Sequence, residues 1–207
     1  MCGIVVGINT DEVRGLTSSN AYRGSHSHSV CYYNYRTDGL VSLKRGFGPL
    51  DIDSIDIPKN CIAIIHQQAP TTENKNIENV HPAQIGKHLL WHNGIIKEDE
   101  IKRLQEMLQI TYSWDTRILL RLLVDEEKVP EINGTFACVY VGHGFLDVFR
   151  NEIAPLYYSD TAIASTKFEG SIPVPPNQRF CIQWTSGKLE LSPMETFKTV
   201  ENPYFFA

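Results

Sequence analysis

The chain opens Met1-Cys2-Gly3-Ile4-Val5-Val6-Gly7-Ile8, and the fold and chemistry both turn on how this stretch is read. Ile4–Ile8 is a short apolar run rich in β-branched residues, which predicts a buried strand. Loss of Met1, which the small Cys2 and Gly3 permit, would leave a thiol and a free α-amine on one residue. An α-amine has an ordinary pKa near ~8, so near neutrality it can take the thiol proton. Nucleophile and base would then share a residue, with no histidine required. On position alone the plainer reading of Cys2 is a strand-initial core cysteine, and the nucleophile reading needs support from elsewhere in the chain.

Composition bounds the options. The 207 residues are 42% hydrophobic and 21% charged, enough for one domain with a real core over residues 1–207. Lysine and arginine number 19 against 24 acidic residues, a net charge of −5, which excludes nucleic-acid binding by bulk positive charge. The five cysteines stand at 2, 31, 61, 138 and 181. An odd number, widely spaced, suggests neither a disulfide framework nor a paired-cysteine metal site. Cys31, Cys61, Cys138 and Cys181 read as small core hydrophobes. The first apolar stretch has no basic leader and soon meets Asp11 and Glu12, so no signal peptide is expected there. No apolar run approaches the ~18 residues of a membrane span. A cytoplasmic enzyme or subunit, with no membrane partner, is expected.

Strands are expected at Val30–Tyr35 and Leu40–Lys44 around the Thr37-Asp38-Gly39 turn, at Cys61–His66, and at His88–His92, the last ending in Asn93-Gly94. Asp11–Ala21 reads as a helix interrupted by Gly15. Helical spacing of apolar residues marks Lys97–Gln109 and Trp114–Asp125. Strands return at Thr135–Val141, Phe145–Arg150, Leu156–Tyr158, Ala162–Ser165, Arg179–Trp184 and Leu189–Leu191. The proline-rich Ile172–Pro176 reads as an edge or connector. Many strands with two or three helices predict an α+β fold in packed layers.

Several segments then fall into one order. MCGIVVGI, Tyr22-Arg23-Gly24, His66-Gln67-Gln68-Ala69-Pro70-Thr71-Thr72, Val80-His81-Pro82, Trp91-His92-Asn93-Gly94-Ile95-Ile96, Trp114-Asp115-Thr116 and Ile132–Ala137 follow one another along the chain. Pro155–Tyr158, Ala164-Ser165 and Val174–Pro176 complete the series. The series resembles the class II glutamine amidotransferases, of the N-terminal nucleophile family. Its closing part is similar to the glutaminase domain of asparagine synthetases. The likeness runs from Cys2 to about Trp184.

The resemblance implies a four-layer αββα sandwich and a reaction in which Cys2 attacks a glutamine side-chain amide. A γ-glutamyl thioester forms, ammonia leaves, and water releases glutamate. Cys2 would be the nucleophile, with its α-amine as acid and base. Asn93 and Gly94 would donate to the oxyanion; locally they read equally as an ordinary Asn-Gly turn. Asp115 would hold the substrate amine, or serve as a first-turn helix carboxylate. Arg23, His66, Gln68, Thr71 and His92 would line the substrate pocket. Gln68 stands where the family has a carboxylate-binding arginine, and an amide supplies no charge. His88 and His92 have ligand-like spacing but lie in a predicted strand, and no metal and no cofactor is expected.

Because the glutaminase-like segment consumes nearly all of the chain, ammonia is expected to pass to a separate synthase subunit. The aromatic tail Phe197–Ala207 reads as self-packing or as a docking segment. Two other readings stay open. One is an N-terminal nucleophile hydrolase for another γ-glutamyl-type amide. The other is a catalytically degenerate binding or regulatory module of the same fold.

Overall fold

The computed structural model describes residues 2–69, 76–142, 144–185 and 187–200. Its strands are β1 (Gly3–Gly7), β2 (Ser27–Asn34), β3 (Gly39–Phe47), β4 (Cys61–Gln68), β5 (Ala83–Ile85), β6 (His88–Ile96), β7 (Gly134–Val141), β8 (Leu146–Arg150), β9 (Tyr157–Tyr158), β10 (Ala162–Ala164), β11 (Ile172–Pro173), β12 (Gln178–Thr185) and β13 (Lys188–Thr196). The helices are α1 (Thr10–Asn20), α2 (Glu98–Leu108) and α3 (Asp115–Glu126).

Two antiparallel sheets result. One has the order β11-β9-β10-β1-β4-β2-β3 and the other β13-β12-β8-β7-β6-β5. Strand alternation explains how they stack. Ile4 and Val6 of β1, Ile62 and Ile64 of β4, and Leu89 and Trp91 of β6 meet in one core between the sheets. Val5, Ala63 and Ile65 point the other way, onto Val13 and Leu16 of α1. Leu90, Phe136, Cys138 and Phe149 point outward from the second sheet onto Leu104, Ile118, Leu119, Leu122 and Leu123 of α2 and α3. The result is the αββα sandwich expected from the resemblance, with three separate apolar interfaces. Each fully buried leucine or isoleucine contributes roughly 1.5–3 kcal/mol relative to exposure.

The helices start where their first turns say they should. Asn9 caps α1, its side chain accepting from Glu12 N at 3.0 Å. Glu98, Asp99 and Glu100 open α2 at the positive end of its dipole.

Some expectations need correction. Asn93-Gly94 is neither a turn nor a strand end, because β6 continues through it to Ile96. The glycine is needed for contact, not for turning: a Cβ on Gly94 would stand 1.8 Å from the Thr135 carbonyl oxygen across the ladder. Gly15 does not interrupt α1. Cys181 is half-buried rather than a core residue. The last strand runs to Thr196 through Pro193, which the edge position of β13 tolerates. Ile172-Pro173 is indeed an edge strand, paired with β9. Phe197 packs on its own domain, against Phe136 at 5.8 Å and Phe149 at 6.3 Å between ring centroids. The rest of the tail, with Tyr204, Phe205 and Phe206, lies outside the described residues.

Two glycines therefore predict opposite responses to alanine. Gly94→Ala should lower stability by about 1–3 kcal/mol or more, because the backbone of β7 has to move. Gly15→Ala meets nothing within 4 Å and should raise stability by roughly 0.5–1 kcal/mol. Urea midpoints of the two variants against the parent test both signs.

Candidate active site

Cys2, Asn93, His66 and Gln68 gather at one end of the inter-sheet core. Cys2 shares the parity of Ile4 and Val6, and Asn93 that of Leu89 and Trp91, so both face the space between the sheets. His66 shares the inward parity of Ile62 and Ile64. Its Nε2 crosses to the other sheet and lies 3.2 Å from the His92 carbonyl. That carbonyl can only accept, so Nε2 carries the proton and Nδ1 presents a lone pair. A second bond joins the sheets one step deeper, from Trp91 Nε1 to Ser29 Oγ at 3.2 Å.

The direction of the Gly94 N–H follows from its neighbours. Phe136 gives both its N–H and its carbonyl to Asn151, on the β8 side of β7. Gly94, opposite Phe136, is therefore a position that does not bond to β7. The even-numbered residues of β6 turn their backbone groups the other way: His92 O meets His66, and Ile96 N donates to Asp115 Oδ2 at 3.4 Å. The Gly94 N–H points in that same direction, beyond the end of β5, whose pairing stops at Leu90.

Cys2 is 5% exposed. Burial pushes its thiol pKa up and Asp115 adds to this, while a backbone hydrogen bond from Ala69 and the charge of Arg23 work against it. A thiol held protonated in this way needs a base before it can attack. Arg23 fixes the Cys2 backbone, donating from Nε to the Cys2 carbonyl at 2.9 Å. Gly24 lets this segment lie against β4, for a Cβ there would stand 2.3 Å from the Gln68 carbonyl carbon. Ser165 completes the support, its Oγ accepting from Ile4 N at 3.0 Å.

Behind these residues runs a buried polar chain. Gln68 Oε1 accepts from Ser27 Oγ at 3.2 Å and lies 3.1 Å from His81 Nδ1. His81 Nε2 is 3.0 Å from Thr116 Oγ1, which is also 3.3 Å from His92 Nδ1 and 3.3 Å from Asp115 Oδ1. Thr116 has one hydroxyl proton for three neighbours, so the tautomers of His81 and His92 are set together. The Asp115 carboxylate also accepts from Thr116 N at 2.7 Å, which anchors it at the first turn of α3. His92 faces α3 and the Thr135 carbonyl, 3.1 Å from its Nε2, so it stands behind the inter-sheet face that holds Cys2.

Among the described residues, three buried polar atoms on this face have no hydrogen-bond partner: Asn93 Nδ2, Asn93 Oδ1 and His66 Nδ1. Leaving such an atom unmade costs on the order of 1–3 kcal/mol, so Asn93 is held ready at a cost to stability. The resemblance pointed to Cys2, Arg23, His66, Gln68, His92, Asn93, Gly94 and Asp115. The fold puts Cys2, Asn93, His66 and Gln68 on one inter-sheet face and links Arg23 and Asp115 to Cys2. Thr71 lies outside the described residues. Ser27, His81 and Thr116 join the polar chain without having been singled out as site residues. Among the described residues no cluster suited to holding a metal ion is found.

Burial makes two of the histidines a liability in acid. Desolvation pushes His66 down to about 3 from an ordinary 6.5, with the neighbouring His92 adding to it against the bond to its carbonyl. His81 is pushed well below 6.5, by burial first and then by the charges around it. Below 6.5 the unfolded chain binds protons that these buried imidazoles refuse in the folded chain. Stability is thus full above about pH 6.5 and is lost as pH falls below it, toward 3 in the case of His66, by up to about 1.4 kcal/mol per pH unit for each group that stays neutral. Denaturation at pH 7.5, 6 and 5 should show this slope, and His66→Gln should reduce it; an unchanged slope would contradict the assignment.

No family model and no curated protein matches the sequence. Solved structures do. The fold is similar to glutamine phosphoribosylpyrophosphate (PRPP) amidotransferase from B. subtilis, complexed with ADP and GMP, at TM-score 0.67 and 15% identity over 95% of this chain and 50% of that one. It is similar to an allosteric regulatory enzyme of purine biosynthesis at TM-score 0.66 and 15% identity, over 93% and 49%. A glutamine aminotransferase class-II domain protein from Silicibacter pomeroyi matches at TM-score 0.52 and 11% identity, over 96% and 100%. The chain thus spans about half the length of the first two. What these likenesses establish is the architecture: this chain has the αββα sandwich of the class II glutamine amidotransferase domains.

Proposed function

We propose that the protein is a glutamine-hydrolysing amidotransferase subunit of class II. Removal of Met1 frees the Cys2 α-amine. That amine takes the thiol proton as Sγ attacks the amide carbon of glutamine, and the carbonyl electrons move onto oxygen. Asn93 Nδ2 and the Gly94 N–H stabilise that oxyanion. Collapse expels ammonia, which carries away the proton held by the amine, and leaves a γ-glutamyl thioester on Cys2. Water, deprotonated by the same amine, then releases glutamate and the thiol. Ammonia passes to a separate acceptor subunit.

The observation that carries this reading is the buried, unpartnered Asn93 amide on the same inter-sheet face as Cys2. The thiol's raised pKa supports the need for an adjacent base, and the α-amine meets that need without another side chain. Asp115 is the carboxylate whose charge reaches Cys2 and would hold the substrate amine.

One observation favours a second reading, a related amide as substrate. Gln68 supplies no charge, and its oxygen is engaged by Ser27 and His81. Arg23 is tied by Nε to the Cys2 carbonyl. A γ-glutamyl-type amide without a free α-carboxylate would not need a cation there. The third reading, a degenerate module, would keep the fold without turnover.

Release of ammonia or amine by the Met-processed protein, from glutamine and from γ-glutamyl amides with a blocked α-carboxyl, decides among these. Cys2→Ala should abolish it, and Asn93→Ala should lower kcat by about 10²–10³. Gln68→Arg should raise free-glutamine turnover if the second reading holds. Absence of ammonia or amine release from the processed protein, with and without candidate acceptor subunits and with γ-glutamyl amides as well as glutamine, would leave the binding module.

A further inference from the structure

One lateral row of the first sheet runs outward from the Cys2 end of the site. Gln68 pairs with Ser27, and Ser27 with Phe47, so the three side chains stand on one face. The row begins beside the nucleophile, since the Cys2 thiol is hydrogen-bonded by the backbone of Ala69, the residue after Gln68. It ends at the surface, where Phe47 is 41% exposed and meets the His26 ring edge-on at 6.1 Å.

The amide oxygen of Gln68 is committed twice, to Ser27 Oγ at 3.2 Å and to His81 Nδ1 at 3.1 Å. Arg45 makes this arrangement rigid. Its Nε donates to the Val80 carbonyl at 2.9 Å and its Nη2 to the Pro82 carbonyl at 2.8 Å, so the chain is held on both sides of His81. The Gln68 amide nitrogen makes no hydrogen bond among the described residues, and it is not sealed off as the Asn93 amide is. Its two N–H groups are what this side chain has left to offer. No charge is added by the arginines alongside: Arg45 is engaged by those two carbonyls, and Arg23 by the Cys2 carbonyl and the Tyr22 hydroxyl. A free α-carboxylate placed here would lose water against neutral donors with no countercharge, whereas a peptide carbonyl is matched by a neutral N–H. Asp115, in contrast, still suits a cationic α-amine. The site therefore favours a glutamine whose amine is free and whose α-carboxyl is not.

Resting on the reading of Cys2 as a glutamine-hydrolysing nucleophile, we propose that the substrate is a glutamine at the N-terminus of a peptide. Its α-amine lies at Asp115, its α-carbonyl accepts from the Gln68 amide nitrogen, and the following residue runs out past Ser27 over the His26 and Phe47 rings. Cys2 Sγ attacks the side-chain amide carbon, ammonia leaves, and water frees a peptide that begins with glutamate. One water enters and one ammonia leaves in each turnover.

Initial rates of ammonia release by the Met-processed protein from glutamine, glutamine α-methylamide and the dipeptide glutaminyl-phenylalanine test this, with Cys2→Ala as the blank for spontaneous cyclisation. kcat/KM should rise in that order, by about tenfold or more from first to last. N-acetylation of the dipeptide should remove most of the gain, because Asp115 loses its cation. Gln68→Arg should reverse the order of glutamine and its methylamide, and Phe47→Ala should narrow the lead of the dipeptide over the methylamide. Free glutamine cleaved as well as the dipeptide, or an order that a folded Gln68→Arg leaves unchanged, would overturn this inference and leave the glutaminase reading standing. Ammonia from none of the three, with or without acceptor subunits, would overturn both.

Discussion

Everything at the Cys2 end depends on one bond between sheets, from His66 Nε2 to the His92 carbonyl at 3.2 Å. Backbone ladders hold each sheet internally, but no ladder crosses the gap. The faces are free to slide unless side chains pin them, and apolar packing alone is non-directional. This bond, with Trp91 to Ser29 behind it, sets the height at which β6 passes β4. Once that height is set, strand alternation does the rest. Asn93 must turn inward next to the pinned carbonyl, and the N–H of Gly94 must turn off the β7 ladder.

The electrostatic character follows from the same closure. His66 and His81 stack at 3.9 Å and are both held neutral by burial. The thiol is likewise held neutral, and Asp115, a carboxylate whose charge reaches it, is anchored by the backbone of α3 and β6. A site that disfavours charge makes each fixed donor worth more when charge develops. Gln68, Ser27, His81 and Thr116 give that site a rigid wall whose polar atoms mostly satisfy one another.

Much of the architecture was legible in the sequence. The two long helices declare themselves through their apolar spacing, and the buried strands through β-branched runs. Strands of two or three residues, such as Tyr157–Tyr158 and Ala83–Ile85, carry too few positions to show a period. Asn-Gly misled locally because the pair is a strong turn signal; here the glycine serves a close approach to Thr135, which depends on a strand distant in the chain. Gln68 could be read as a departure from a family pattern. That its oxygen is taken up by Ser27 and His81 could not, since those partners come from two other segments.

The sheet margins carry a consequence of their own. An unpaired edge is a template on which another chain can add, and each of the four edges here has a stop. β11 contains Pro173 and β13 contains Pro193, neither of which has an N–H to offer. β5 is three residues long. β3, the longest of the pairable margins, bears Lys44 and Arg45 side by side. Lateral growth of either sheet into a neighbouring molecule is therefore discouraged at every margin, which leaves the two ends and the helical faces of the sandwich as the surfaces through which this domain can meet others.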